Sequence, residues 1–431
     1  MENILKETEP PIKRKSLVKA FAASLSGTSL EWYDFAVYGA CAALVFGHLF
    51  FPEGDSLAGT LKAFGTYAVG YISRPLGGIF FGRLGDIVGR KKVLVWTLLL
   101  IGIATFIIGL LPTFASVGYL APTLLVLLRF AQGVGVGGEW GGAVLLSSEF
   151  SKPEQRGFWA SAAQVGPPLG NLLANGVLAI LAFFLTTAQF NDWGWRIAFL
   201  LSALLVVFGL WVRYSLEETP VFKKLEEKNE RSNAPVSEVF KYESRALFGG
   251  ILARIGPDVL YACFTVFVLA YATQHLGMPR SDAIISVTIA SGIQVLFIPF
   301  SGWLSDRIER RVIYAVGAVL AAIWTFLFFY MMEEPTFVRL FIGVTGALIC
   351  HSLMYGPQAA LIAEQFSARL RYTGSSLAYT FAGIVGGAIA PLLLAWFISF
   401  DKSGFAICLY IGIACVLTLI GLAMTRKARG S

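Results

Sequence analysis

Long apolar runs alternate along this chain with short polar breaks, and the runs outlast what a strand or a surface helix requires. A membrane-crossing helix needs ~20 mostly apolar residues. On that rule the sequence predicts spans at about 18–50, 59–82, 93–111, 119–149, 156–185, 195–214, 246–274, 282–301, 312–332, 337–364, 372–399 and 404–425. Several of these twelve exceed one bilayer crossing, so some are expected to tilt or protrude. One long polar stretch, 215–245, carries Glu217, Glu218, Glu226, Glu227, Lys228 and Glu230 and divides the spans six and six. The predicted organisation is a tail (1–17), a six-helix half (18–214), a central loop (215–245), a second six-helix half (246–425) and a tail (426–431): an all-α membrane protein.

The polar breaks differ in charge. Lys13, Arg14 and Lys15 precede the first span; Arg83, Arg90, Lys91 and Lys92 follow the second, and Lys152 and Arg156 follow the fourth. The central loop, then Arg307, Arg310 and Arg311, then Arg369 and Arg371, then Arg426, Lys427 and Arg429 continue the series by twos. The intervening loops are short and poor in Lys and Arg: 51–58 carries Glu53 and Asp55, 112–118 carries no charge, and 333–336 carries Glu333 and Glu334. Basic loops stay on the cytoplasmic side, so both termini and the central loop are expected there. The first sixteen residues are polar, without the short apolar core of a cleavable signal; the first span is expected to act as its own insertion signal.

The basic break Gly82 to Lys92 has a second copy. Gly82, Leu84, Asp86, Arg90 and Lys91 are matched 220 positions later by Gly302, Leu304, Asp306, Arg310 and Arg311. Glycines at 82, 85 and 89 suggest a tight turn there. A second repeat places Arg156 seven residues after Glu149 and Arg371 seven after Glu364. Two repeated halves with a site between them near the midplane are how many secondary transporters are built. Ion pairs among these loop residues, on one side only, can hold one conformation closed and release it in the other.

Composition sharpens this picture in one respect. Of the 431 residues, 56% are hydrophobic and only 14% charged, against about 25% charged in soluble domains. Each ionisable residue within a span therefore asks for a reason. The net charge of +7 is accounted for by the loops and calls for no nucleic acid. The five cysteines all lie in apolar runs without a C-x-x-C pair, and there are three histidines, so no disulfide framework, metal or cofactor is expected.

The first span holds Glu31 and Asp34, three apart and so on neighbouring helix faces. Counted at ~1.5 Å per residue, both fall near the membrane middle. A pair of carboxylates there is what exchange of a transported proton requires, with Asp34 the first choice and Glu31 the second. Tyr38 lies one turn on. The second span carries Arg74, about 13 Å deeper than Arg83 by helical rise; the fourth carries Arg129 and Glu139. Guanidinium grips carboxylates in bidentate fashion, so Arg74 and Arg129 suit an organic anion. The alternative pairs Arg74 with Asp34, or Arg129 with Glu139, and leaves neither free for a ligand. In the seventh span Arg254 and Asp258, four apart, either satisfy each other or line the site. Gln164, Asn171 and Asn175 form one stripe on the fifth span, around Gly166-Pro167-Pro168-Leu169-Gly170, where a bend is expected. Tyr355 and Gln358 on the tenth are further candidates to line a cavity.

With these residues in view, the chain resembles a major facilitator superfamily transporter. Gly82 to Lys92 matches that superfamily's signature between its second and third helices. Arg129-x-x-Gln132-Gly133-x-Gly135-x-Gly137 matches its fourth-helix signature. Glu31-Trp32-Tyr33-Asp34-Phe35, Arg74-Pro75-Leu76-Gly77-Gly78, Gly137-Gly138-Glu139-Trp140-Gly141-Gly142, Trp193-Gly194-Trp195-Arg196 and Leu216 to Phe222 are similar to the metabolite:proton symporter family, which includes carriers of shikimate, α-ketoglutarate, citrate, and proline or betaine. The likeness is densest before Phe222. It implies proton-driven uptake by alternating access across a bacterial inner membrane.

Two departures bear on function. Gly166 to Gly170 is similar to a fifth-helix motif of proton-coupled exporters, and no long coiled coil follows Arg426, so an osmosensor of the betaine-carrier type is not expected. The expected function is symport of protons with a small organic carboxylate or related polar metabolite, by a chain working as a monomer in the lipid bilayer. The alternative is an exporter in the same fold driven by proton antiport. The duplicated loops argue against a channel. An enzyme is not expected, because no H-E-x-x-H, Ser/His constellation or phosphate-binding glycine loop with its lysine is present.

Overall fold

The computed structural model describes residues 14–51, 56–215, 217–228, 230, 232 and 234–426. The terminal residues 1–13 and 427–431, the acidic pair Glu53 and Asp55, and Leu216 in the central stretch lie outside the described residues. Twelve long helical rods match the twelve predicted spans: α1 (14–50), α2 (56–87), α3 (Arg90–Leu110), α4 (Leu120–Glu149), α5 (156–184), α6 (Phe190–Tyr214), α7 (Ser244–His275), α8 (Arg280–Leu304), α9 (Arg310–Met331), α10 (Phe337–Ala363), α11 (Arg371–Phe400) and α12 (Phe405–Met424). Nine of these helices, among the described residues, are long and apolar enough by themselves to cross a membrane. The stretches α1, α2 and α5 complete the set; α1 and α2 hold Glu31, Asp34 and Arg74. Between α6 and α7 the short helices Pro220–Glu227 and Pro235–Tyr242 lie on the polar stretch.

The rods pack as two six-helix halves with the same internal pattern. In the first, α1 packs on α5 and α6, α4 on α2 and α3, and α3 on α6; in the second, α7 packs on α11 and α12, α10 on α8 and α9, and α9 on α12. The halves meet where α2 crosses α11 and α5 crosses α8, which exchange under the same repeat. The outer surface is apolar: Phe183, Leu296 and Leu392 are more than 70% exposed, as side chains facing lipid must be. With no hydrophobic drive between helices in lipid, small residues let backbones close up. A Cβ on Gly77 would strike the Val134 carbonyl, and one on Gly137 the Arg74 carbonyl, so α2 and α4 touch backbone to backbone.

One sequence expectation needs correction. The stretch Gly82 to Lys92 is mostly helix: α2 runs on to Ile87 and α3 starts at Arg90. Only Gly89, at φ +125°, makes the turn. Gly82 and Gly85 are helical and lie against Thr373 and Tyr372 of α11, where a side chain would not fit. In addition, α2 breaks at Ser73, just before Arg74-Pro75, because proline removes a backbone donor. Around Pro167 and Pro168, where a bend is expected, the helix Ala162–Phe184 is continuous; an interruption in α5 falls earlier, at Ser161. Widened helical turns at Ala42–Phe46 in α1 and Cys263–Phe267 in α7 fall at matching places in the two halves.

Candidate functional site

Charged side chains meet at two levels: a core buried among the rods, and a ring at the Lys- and Arg-rich end. In the core the acids of α1 take separate partners. Glu31 lies 3.6 Å from Arg74 of α2, whose guanidinium also sits over the rings of Phe35 and Tyr71, at 4.4 and 4.1 Å. Asp34 Oδ2 accepts a 2.5 Å hydrogen bond from Thr105 of α3. Thr105 Oγ1 in turn accepts from Gln132 Nε2 at 2.6 Å, and Gln132 Oε1 accepts from Arg129 at 3.0 Å. Arg129 lies over Phe35 and Tyr38, 3.9 and 4.2 Å from their centroids, a placement worth more in a dry site than in water. Tyr38 shares a 2.5 Å hydrogen bond with Thr66.

Neither pairing weighed from sequence forms among the described residues. Arg74 takes Glu31 rather than Asp34, and Glu139 takes Arg213 of α6, with Thr97 donating to its second oxygen at 2.7 Å. Arg213 is fully buried, although its place beside the polar stretch reads as a loop charge. The missed signal was the apolar run Trp211-Val212 before it, which keeps the helix going to Tyr214. Thr105 and Thr97 were missed as well, and Gln132 was named only within the fourth-helix signature; a lone hydroxyl in a span raises no flag.

In the second half Arg254 and Asp258 pair at 2.8 Å, and Arg254 stacks over Tyr379 at 3.7 Å. A polar bridge links this pair to the first half. Trp140 Nε1 donates to Gln164 Oε1 at 2.7 Å; Gln164 Nε2 donates to Gln358 Oε1 at 3.0 Å and to the Tyr355 carbonyl at 3.2 Å; Arg254 donates to the same Gln358 oxygen at 3.2 Å. Trp140 also stacks on Tyr379, centroids 4.4 Å apart. Farther along, Asn171 donates to Tyr261 Oη at 3.0 Å, and His351 lies between Tyr261 and Tyr355 with Gln294 on its Nδ1. Asn175 is exposed and leaves the predicted stripe.

At the basic end the duplicated acids and the arginines Arg90, Arg310, Arg156 and Arg371 take reciprocal partners. Asp86 accepts from the backbone N–H groups of Tyr372 and Thr373, which open α11. Asp306 accepts from those of Gly157 and Phe158, which open α5, at 2.7 and 2.9 Å. Helix starts offer unpaired N–H groups and favour anions. Arg90 lies 3.5 Å from Asp86 and 3.6 Å from Glu149, and donates to the Ala368 carbonyl. Its counterpart Arg310 pairs with Asp306 and Glu364 and donates to the Pro153 carbonyl. Arg371 reaches Glu149 at 3.6 Å and Arg156 reaches Glu364 at 4.0 Å. Each half thus supplies the acid for the other half's helix start. The polar stretch joins in: Thr219 donates to Glu149, Glu218 accepts from the N–H of Lys91, and Phe222 lies under Arg90. The cavity left between Ser148, Arg156, Ala360 and Arg371 measures about 10 Å³, at most one water, so the halves are closed here.

Comparison with known proteins agrees with this architecture. Residues 19–239 match the family model described as sugar (and other) transporter, and residues 259–431 match that of the major facilitator superfamily. An inner membrane metabolite transport protein of Escherichia coli K12 is 39% identical over 418 residues, covering 95% of this chain and 94% of that one. The shikimate transporter of the same organism is 37% identical over the whole of both chains. Its proline/betaine transporter is 32% identical, over 96% of this chain and 84% of its own. Among solved structures, a proton:xylose symporter superposes with TM-score 0.75 at 18% identity, over 95% of both chains. A fucose:proton symporter from Escherichia coli superposes at 0.71 and 16% identity, over 96% of this chain and 100% of that one.

Proposed function

Because the chain belongs to the major facilitator superfamily, we propose that it is a proton symporter that imports a small organic carboxylate or related polar metabolite across a bacterial inner membrane. Both termini lie in the cytoplasm in this reading, and the closed basic end is the cytoplasmic gate.

The observation that carries the reading is the charge balance of the core. Four acids, Glu31, Asp34, Glu139 and Asp258, stand with four arginines, Arg74, Arg129, Arg213 and Arg254, all within the span-buried interior. With every group ionised the sum is zero. Moving an uncompensated charge through a low-dielectric barrier costs several kcal/mol. A carboxylate that enters alone makes the sum −1, and a proton entering with it restores zero. Asp34 is the acceptor for that proton, because its Oδ1 is buried without a hydrogen-bond partner among the described residues. Arg129 and Arg74, resting on aromatic faces, attract the anion, and Arg254 completes the site from the second half. With one proton carried, the same balance favours monocarboxylates over dianions. The relative named for shikimate is consistent with it.

The test uses purified protein in proteoliposomes, with shikimate, proline, betaine, α-ketoglutarate and citrate offered in turn and external pH recorded. Symport gives alkalinisation on addition of a substrate, abolished in Asp34→Asn while exchange of labelled substrate survives. Acidification on substrate addition would establish the antiport exporter instead, and full proton-driven accumulation by Asp34→Asn would remove Asp34 from the mechanism.

A further inference from the structure

We infer that the pocket at the basic end, bounded by the start of α7, the end of α12 and the chain just beyond α10, binds an anionic phosphate ester, the headgroup of an acidic phospholipid. The site lies apart from the core and from the gate, and it stands whether the carrier works by symport or by antiport.

The pocket measures about 270 Å³, several times the ~30 Å³ that one water takes up in the liquid. It is built around the end of α12. Gln365, buried just beyond α10, accepts from the Arg426 N–H at 2.6 Å and donates to the Arg426 carbonyl at 3.2 Å. Arg245, in the first turn of α7, donates through Nε to the Met424 carbonyl at 3.1 Å. These bonds satisfy backbone groups that a helix end leaves over, and capping asks for nothing more. They occupy the backbone of Arg426 and a single nitrogen of Arg245. Both side chains line the pocket, and neither guanidinium has an acidic partner among the described residues. Glu243, the acid on the same wall, accepts from the N–H of Ser367 at 3.1 and 3.4 Å, so its oxygens are engaged elsewhere. Two arginines held by backbone contacts, with their charged ends to spare, therefore face one cavity.

The chemistry and the position together point to a lipid. Guanidinium matches the oxygens of a phosphate in bidentate fashion, and basic pockets between spanning helices hold acidic headgroups. The flanks of the pocket face the bilayer. Phe248, three residues beyond Arg245 on α7, and Ile420, four before Met424 on α12, are both exposed and share a helix face with those residues. Acyl chains from a headgroup in the pocket would run along them. Tyr242, also on the wall and exposed, is the kind of side chain that settles at headgroup level. A Cβ on Gly249 would come within 3.2 Å of Met424, so α7 and α12 are in contact one turn deeper, on the side toward the core.

The experiment titrates dioleoylphosphatidylglycerol, and separately dioleoylphosphatidylcholine, into the purified protein in detergent and counts bound lipids by native mass spectrometry. The parent should hold one phosphatidylglycerol about tenfold more tightly than phosphatidylcholine. Arg426→Ala keeps the backbone bonds to Gln365; it and Arg245→Gln should each weaken phosphatidylglycerol about tenfold, the weight of one hydrogen bond to a charged group. Arg307→Ala removes an exposed guanidinium stacked on Trp303 at the same end and should leave the affinity as it is. Excess inorganic phosphate separates the sources of the ligand. Displacement of the lipid would mean that the pocket reads the phosphate group and takes the free anion as well; retention would mean that it needs the ester with its chains. Melting temperatures without added lipid confirm folding of each variant. Parent affinity in a folded Arg245→Gln, Arg426→Ala double variant would overturn the inference. So would an equal loss in Arg307→Ala, or no preference for phosphatidylglycerol over phosphatidylcholine.

Discussion

Replacing Asp86 by Ala is the sharpest trial of the closed end. Asp86 is buried and accepts from the N–H groups of Tyr372 and Thr373 while facing Arg90 at 3.5 Å. A hydrogen bond to a charged group contributes ~1.5–3 kcal/mol; two at the lower figure make ~3 kcal/mol. These contacts cross between the halves and exist only while this end is shut, so their loss falls on the closed state. A shift of ~3 kcal/mol multiplies the open fraction about a hundredfold. Arg90 keeps Glu149, so no charge is stranded by the change. Accessibility of a cysteine at Ala360, which lines the small closed cavity and is 1% exposed, reads the outcome. The five native cysteines are buried and give a low background. In inside-out vesicles Ala360→Cys should be alkylated by an impermeant maleimide tens of times faster with Asp86→Ala than without it, and Asp86→Asn should fall between. Equal labelling rates in all three, with melting temperatures unchanged, would refute the idea that Asp86 holds the halves together.

Two further outcomes follow from groups outside that gate. Glu139→Gln leaves Arg213 buried with its counter-charge gone, and breaking such a pair costs ~3–5 kcal/mol; the variant should melt well below the parent. The double change Glu139→Leu with Arg213→Met should recover most of the loss, and a double variant no more stable than the single would show that the pair is not the cause. Asp401, at the exposed start of α12, accepts from Ser403 and the N–H of Ala406, and these bonds hold its carboxyl below its ordinary value. A depressed carboxyl stabilises above its unfolded pKa and loses that contribution as pH falls through the folded one. Asp401→Ala should therefore lower the melting temperature by about 2 °C or less at pH 7, and by less as pH falls below the ordinary carboxylate value; an effect that does not shrink would point to a role apart from charge.

The rods were legible in the sequence because a bilayer imposes length and apolarity on each of them separately. The duplicated charges were legible for a related reason: a repeat of 220 positions is visible without knowing where either copy lies. Their use was partly legible too, since an acid near a helix start has few other roles. What spacing along the chain does not disclose is which helices are neighbours. Glu139 and Arg213 are 74 positions apart and meet, whereas Arg129 and Glu139 share one helix and take other partners. Thr105 and Gln132 illustrate the second limit. Both are ordinary residues in apolar runs, and only the fold stands them between Asp34 and Arg129. The boundary of α3 shows the third: Arg90 to Lys92 read as loop by charge, yet Arg90 is buried against Asp86 and Glu149 and begins the helix.

The reciprocity of the basic end bears on how the core could drive it. Because Asp86 caps the helix that Arg371 opens, and Asp306 the helix that Arg156 opens, neither contact can part while the halves stay in register at the other. Opening must break both together, along with Arg371–Glu149 and Arg156–Glu364. The closed state is thus held by many bonds of the same kind lost in one step, which makes it bistable rather than gradually deformable. A charge left uncompensated in the core adds to the cost of that step, and a neutral core removes the added cost. In the proposed symport the core does not have to push the gate open: neutralisation by proton and substrate together would suffice to make the loaded carrier, and the empty one, the two species for which reorientation is cheapest. On that proposal a carrier with the anion alone, or the proton alone, is expected to stay shut. In the proposed symport, tight coupling would then arise from arithmetic of charge acting on an all-or-none gate.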